Sequence, residues 1–413
     1  MRRSRTFFVL SLVVWSLLLG CGLQLEFAPL PTRVQAIALP GESTPIPVTF
    51  TPVAETAVST QIAQTGLLNS LPANSTPLPI PTNTPVTPTA TPTNTATPTP
   101  FGTPTPVIKP INQYSLGEVI PFQAFPVPAG NNGWGIHWIP TVSQDRAVVD
   151  RFVNEVVRMN IKWVVFLNEG TQIGDNDYLV ERLVANGIMP VMRLFRSGVL
   201  PYDGNVGAMV AHYRAKGVYY FQLYNEPNVN VENQQGFANP NQYARAWATA
   251  AREVIANGGF PGLGALSPGG EYNHYDFLAR TLQAIKFNGD EALLNRTWLS
   301  VHNYHGLRPY DDPDGFLLFR KYDEIVRAHI GRSLPMIGTE GGSYSPDRNV
   351  ELELIRYQYS YMRDAEPYFL AFSYWLLANR EGGGYDNAWE WQTLFKPGFV
   401  HPVVTQFFYT TSR

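Results

Sequence analysis

Two glutamates of this 413-residue chain sit where acid–base and nucleophilic chemistry could be done. Glu226 ends the run VYYFQLYNE and is followed by Pro227, and Glu340 ends LPMIGTE and is followed by two glycines. Each is a carboxylate where an aromatic or β-branched run, the texture of a strand, gives way to a loop. Alone, such a residue is ordinarily a solvated turn. Brought to one cleft, two of them can divide the work. One is protonated and releases a leaving group, while the other is ionised and attacks, a split that proximity in a partly dry site supports.

What must position them is legible from about residue 131 onward, where short apolar runs alternate with helical patterns. GWGIHW (133–138) precedes a helix predicted at about 146–159, with Val148, Val149, Phe152, Val153, Val156 and Val157 at helical spacing. KWVVFLNEG, MPVMRLF (189–195), the run from Val218 to Glu226, GLGALSPGG, WLSVHNYHG (298–306), LPMIGTEGG (334–342) and YFLAFSYWLLAN (368–379) follow as further strands. Helices are expected around Leu179 and Leu183, near 205–216, over NPNQYARAWATAAREVIANG with Gly258 as its stop, and at about 275–287, 315–330 and 350–364. Eight strands, most followed by a helix, predict an α/β chain folded as a (β/α)8 TIM barrel. A doubly wound open sheet is the runner-up, and no glycine-rich phosphate fingerprint follows the first strand to support it.

Chemistry in such a barrel gathers at the C-terminal ends of the strands. The polar tips are His137, Asn168 with Glu169, Arg193, Asn225 with Glu226, His302 with Tyr304, Glu340, and Trp375. Strand alternation puts Glu226 on the face of Gln222 and Tyr224, and Glu340 on the face of Met336 and Gly338, so both can look into the mouth.

Asn225-Glu226-Pro227 on the fourth strand, His302 and Tyr304 on the sixth, Glu340 on the seventh and Trp375 on the eighth resemble glycoside hydrolase clan A, the cellulase-like family 5 or a close relative, over about 131–410. The resemblance implies a retaining double displacement with Glu226 as acid/base and Glu340 as nucleophile, their carboxyl groups about 5–5.5 Å apart. By the same resemblance Asn225 would bind the sugar's 2-hydroxyl, Tyr304 would donate to Glu340, His302 would line the subsite, and Trp375 would stack on a pyranose ring. His137 and Arg193 join them as expected substrate contacts. The chain departs from family 5 at the second strand, which ends in Asn168 and Glu169 where an arginine is usual; the comparable arginine, Arg193, ends the third. Trp138, Trp389 and Trp391 are secondary candidates for sugar contact, with Trp134 and Tyr272 also near strand ends or loops.

Other patterns read more plainly. Glu169 repeats an Asn-Glu pair but ends the second strand, and is expected at the rim or capping a loop. His302 and His305 are three apart on a strand and face opposite sides, so no shared metal is predicted, nor any cofactor. Gly341-Gly342-Ser343 and Gly382-Gly383-Gly384 read as flexible loops, since Arg380 is the cation there and Glu340 and Glu381 would repel a phosphate. Asn295-Arg296-Thr297 matches a glycosylation sequon.

The formal charge of −3 points to neither nucleic acid nor an anionic membrane surface. Arg2, Arg3 and Arg5 followed by an uncharged run from Phe7 to Gly20 have the form of an export signal, and Leu18-Leu19-Gly20-Cys21 resembles the lipobox of bacterial lipoproteins. Residues 1–20 are therefore expected to be a signal peptide and Cys21, the only cysteine, a lipidation site. Residues 21–110, rich in proline and threonine, form a low-complexity spacer. Residues 111–413 are the barrel. The expected protein is a monomer displayed on the outer face of the cell membrane, or secreted, whose partner is a carbohydrate. Membrane contact is expected through the N-terminal lipid or a signal anchor alone. The rival reading is a surface barrel that binds glycan without cutting it; a barrel acting on a phosphorylated metabolite fits poorly with export and with so few cations at the strand ends.

Overall fold

The computed structural model describes residues 109–142, 144–343, 345, 347–379 and 387–411. The chain divides into two units, Met1–Ser59 and Thr60–Arg413, and the described residues belong to the second. Cys21, the signal peptide, nearly all of the Pro/Thr-rich segment, and 380–386 with Arg380, Glu381 and Gly382–Gly384 lie outside the described residues. No described helix is long and apolar enough to cross a membrane.

Eight parallel strands close into a barrel in sequential order: β1 Trp134–His137, β2 Trp163–Glu169, β3 Met189–Phe195, β4 Tyr220–Leu223, β5 Phe260–Leu266, β6 Trp298–His302, β7 Met336–Glu340 and β8 Phe369–Tyr374. β8 returns to pair with β1 through Trp134, Gly135 and Ile136. The helices between them are α1 Arg146–Arg158, α2 Asp177–Ala185, α3 Val206–Ala215, α4 Pro240–Ala256, α5 His274–Phe287, α6 Leu318–Ile330 and α7 Arg348–Tyr361. This is the (β/α)8 barrel that the alternating pattern predicts.

Local chemistry sets the helix ends. Asn239 caps α4 by accepting from the Asn241 and Gln242 amides, with Pro240 at the first helical position, where its missing N–H costs nothing. Asn205, Asn273 and Asp347 cap α3, α5 and α7 in the same way. Gly258, just past α4, takes φ +76°, a conformation that glycine adopts freely.

Two apolar layers follow from the period of the strands. Trp163, Val165, Met189, Val191, Tyr220, Phe260, Trp298, Ile337 and Ala371 fill the barrel interior, and the alternating residues pack outward against the helices. The interior residues at the strand starts are met by Ile120 and Phe125 of the segment before β1, with Phe125 4.9 Å from the Phe260 ring. That segment closes the barrel floor. The buried Arg296 guanidinium donates to the carbonyls of Ser115 at 2.6 Å and Glu118 at 3.1 Å, and the Tyr220 hydroxyl donates to Pro126 at 2.7 Å. Asn295 of the sequon donates to the Leu116 carbonyl, so its side chain serves the same seam.

Candidate active site

At the opposite end of the barrel the strand tips converge. Carboxylate and imidazole atoms of Glu226, His302 and Glu340 all lie within 4.8 Å of one another. His302 Nδ1 is 3.0 Å from Glu226 Oε1, and its Nε2 is 3.6 Å from Glu340 Oε1. Arg193 Nη1 donates to Glu340 Oε1, and the Tyr304 hydroxyl donates to Glu340 Oε2 at 3.0 Å. His137 faces the same space, its Nδ1 3.2 Å from the Trp138 carbonyl and its Nε2 buried without a partner.

Neither glutamate arrives by strand alternation, and this corrects the sequence reading. Met336 packs in the outer layer, so simple alternation would turn Glu340 outward too. Between β6 and β7 the register slips: Val301 faces Gly338, but His302 faces Glu340. This extra residue is a bulge, which re-aims the strand's last side chain into the mouth. β4 does it differently. Its strand ends at Leu223, and Tyr224 and Glu226 take φ +64° and +40°. Tyr224 thereby leaves the interior face of Gln222 and packs outward beside Tyr202 and Tyr243, with ring centroids 4.9 and 5.8 Å away. Left-handed backbone at a non-glycine residue costs about 1–3 kcal/mol and persists only when its surroundings impose it. They do here: the Tyr224 amide donates to the Tyr202 hydroxyl at 2.8 Å, and the Glu226 amide donates at 2.8 Å to the carbonyl of Ala265, which itself stands at a register shift in β5.

The electrostatics separate the groups. Burial alone would raise the Glu340 carboxyl, but His302, the Arg193 guanidinium and the Tyr304 hydroxyl together hold it below the ordinary carboxylate value. Glu340 is therefore an anion over the whole physiological range. Burial pushes the His137 imidazole down to about 3, with Arg193 adding to the effect against Glu340, so this ring is neutral. Glu226 is more open, its side chain 26% exposed against 9% for Glu340. Two carboxyl groups, one enclosed and held ionised, the other open and hydrogen-bonded to an imidazole, suit a nucleophile and a proton donor.

The other expected contacts are placed unevenly. Trp375 lies in the mouth, but at 5% exposure its ring is mostly covered by His137 at 4.3 Å and by Trp389, edge-on at 5.2 Å. Trp389, 37% exposed, offers the more open surface of the pair. Asn225 precedes Glu226 with a buried Oδ1 that has no partner. Trp138 is a correction: it is fully buried in the outer layer, edge-on to Phe152 and donating to Gln144, so it supports the wall and cannot meet a ligand. Trp134 likewise lies in the core, donating to the Tyr359 carbonyl. Trp391 is half-buried, and its carbonyl accepts from Arg348 of α7. Arg193 is committed to Glu340, which makes it a support of that carboxylate more than a free hand for substrate. Asn168 donates to the Gly170 and Gln172 carbonyls, and Glu169 is exposed at the strand end, so both serve the loop after β2. His305 turns away from His302 to the Arg308 carbonyl at 2.6 Å.

The glycines after β7 are also corrected. A Cβ on Gly341 would stand 2.4 Å from the Phe372 ring and one on Gly342 3.0 Å from Tyr374, so this stretch is close-packed, with Ser343 bridged to Gly306. Glu226, His302 and Glu340 have a spacing that a small cation could bridge, but the Arg193 guanidinium already supplies positive charge at Glu340.

No protein-family profile matches the chain, and no curated protein sequence matches it. Solved structures to which the chain is similar include a family 39 glycoside hydrolase from Bacteroides cellulosilyticus, 13% identical, with a TM-score of 0.49 over 71% of this chain and 64% of that one. An endo-β-1,4-glucanase from Xanthomonas axonopodis pv. citri is 14% identical, with a TM-score of 0.41 over 68% of this chain and 99% of its own. A β-mannanase from Streptomyces thermolilacinus, solved with mannohexaose, is 13% identical, with a TM-score of 0.38 over 67% and 88%.

Proposed function

We propose that this protein is a retaining glycoside hydrolase of a β-linked glycan, with Glu340 as nucleophile and Glu226 as acid/base. The observation that carries the reading is the carboxyl pair, with oxygens within 4.8 Å of each other. That spacing suits direct attack, for which about 5–5.5 Å between the groups is usual, and leaves no room for the intervening water of an inverting enzyme, which needs about 6.5–9.5 Å.

The sequence of events follows from the charges. Glu340, held anionic by Arg193 and Tyr304, attacks the anomeric carbon as Glu226 passes its proton to the departing oxygen. The glycosyl–Glu340 ester is then hydrolysed by water that Glu226, now a base, deprotonates, and net configuration is kept. His302, hydrogen-bonded to Glu226 through Nδ1, fixes that carboxyl's position through both steps. Turnover of aryl β-glycosides by the purified protein, with anomer-resolved analysis of the first product, tests the reading. A β-configured product supports it; an α-configured product, or glycan binding without turnover across a broad panel, overturns it.

The same proposal includes a location. The N-terminal arginines, the apolar run and Leu18-Leu19-Gly20-Cys21 support export and lipid attachment at Cys21, with the Pro/Thr-rich segment as spacer. Loss of the protein from the membrane fraction on Cys21→Ala tests this part separately.

A further inference from the structure

One wall of the mouth carries an aromatic ring that the acid pair does not use. Phe195 is the last residue of β3, and the ladder to β2 runs unbroken through it, from Arg193 opposite Leu167 to Phe195 opposite Glu169. With no bulge there, alternation holds: Arg193 reaches inward to Glu340, Leu194 packs in the outer layer, and Phe195 returns to the inner face. It stands about 7 Å beyond Arg193 along the strand, toward solvent. The main chain fixes this tip, since the Phe195 carbonyl accepts from the Gly170 amide at 3.0 Å. The side chain joins neither apolar layer and is 44% exposed. The loop after β4 adds exposed Val231 and Phe237 to the same side of the barrel.

The neighbours fit a sugar. Glu169 pairs with Phe195 across the strands, so the two side chains stand beside each other on the inner face. The Glu169 carbonyl serves the loop by accepting from the Gln172 amide at 2.9 Å, whereas its carboxylate is left open to solvent. An open aromatic face next to a free acceptor matches the apolar face and the hydroxyl donors of a pyranose. Position says which sugar. Leu194 faces Leu223, the last pair before β4 turns into Tyr224 and Glu226, so Phe195 ends the strand next to the proton donor. Trp375 and His137 lie away from it, beyond β2, on the β8 and β1 side. The leaving group departs on the side of Glu226, because that acid must reach its oxygen.

We propose that Phe195, flanked by Glu169, is the subsite for the leaving-group sugar: the ring stacks on the apolar face of that unit and the carboxylate accepts from its hydroxyls. The proposal deepens the hydrolase reading and rests on it. It makes the released group a sugar, so the bond that is cut joins two units of a carbohydrate chain. A leaving group without a ring gains nothing from this wall.

The test compares the full-length wild type with Phe195→Ala, Phe195→Leu, Phe195→Tyr and Glu169→Ala on β-linked tetrasaccharides of glucose, mannose, xylose and galactose, and on the β-fluoride of each matching disaccharide. Fluoride departs without a ring, so it cannot use the subsite. Phe195→Ala is expected to lower the ratio of tetrasaccharide to fluoride kcat/KM by about 10-fold, because binding energy far from the reacting carbon is spent at it. Phe195→Leu should lose nearly as much, since it keeps apolar bulk without a flat face, while Phe195→Tyr should hold the ratio within about 2-fold. Glu169→Ala should lower it by about 3–10-fold, the size of a lost hydrogen bond. Equal losses on tetrasaccharide and fluoride, an unchanged ratio in Phe195→Ala, or a leucine that serves as well as tyrosine would each overturn the proposal. A wild type that cuts fluorides or aryl glycosides but no tetrasaccharide also overturns it and leaves the hydrolase reading standing. A wild type inert on every glycoside overturns that reading, and this proposal with it.

Discussion

The Nδ1 of His302 stands 3.0 Å from Glu226 Oε1, which ties the last residue of β6 to the carboxyl that follows β4. The same ring is fully buried and keeps Nε2 within 3.6 Å of Glu340, so one imidazole sets the distance between the two acids. His302→Ala is therefore expected to lower kcat/KM by about 10²–10³-fold while leaving the far-ultraviolet circular dichroism unchanged. Activity within 3-fold of wild type, about the size of a minor contact, would remove His302 from the machinery.

The two glutamates should fail differently. Glu340→Ala loses the group that bonds to carbon, and turnover is expected to fall by about 10⁴-fold or more for every substrate. Glu226→Ala loses the proton donor, so the fall should be about 10²–10⁴-fold for a poor leaving group and smaller for an activated phenol that departs as an anion. Steady-state rates with leaving groups of graded acidity separate the two roles, and equal losses across the series for both variants would contradict the assignment.

The pH profile carries the signature of Arg193. Because Glu340 is held below its usual value, it stays ionised to lower pH, and the acid limb of kcat/KM should lie below the ordinary glutamate value of about 4.3. Arg193→Met removes a positive charge bonded to that carboxylate, so the limb should move up in pH while the rate at neutrality falls. The sign for stability is the same: a depressed carboxyl contributes stability above its unfolded value and loses it as pH falls through the folded one. An acid limb unmoved by Arg193→Met in a pH-rate titration would show that another group governs it.

Arg296 makes a prediction far from the chemistry. Its guanidinium is the partner of backbone carbonyls at Tyr114, Ser115 and Glu118, and it is 7% exposed. Arg296→Ala should lower unfolding stability by about 1–3 kcal/mol, since a buried side chain is truncated and the partly buried carbonyls of the seam lose their charged donor. Thermal and urea denaturation measure this, and the melting temperature should drop without a change in KM.

Much of the fold and part of the site were legible in the sequence, and the reason lies in what each signal depends on. Apolar runs such as WVVFL and helical repeats such as those of α1 depend on local period alone, so the eight strands and seven helices fall close to where the pattern puts them. The convergence of Glu226, His302, Tyr304 and Glu340 follows from strand order, since all four come at strand tips. How the two acids enter was not legible: alternation fails at Tyr224, whose positive φ is imposed by Tyr202, and at Glu340, which is turned inward by a slip against β6. Both are tertiary effects, with no mark in the local pattern. Trp138 was misjudged because an aromatic at a strand end reads alike whether it faces a ligand or a helix.

The seam at the barrel floor has a mechanical meaning. The described chain begins at Lys109 beneath the strand starts, and the segment that follows is clasped by Arg296 and wedged by Phe125. A tether pulling on this end would load the floor and its arginine clamp, not β4, β6 or β7, which carry the carboxyls and imidazole at their far ends. Strain entering there would be spent in the clasp before it reached the catalytic geometry, so the seam would act as a mechanical fuse for the cleft.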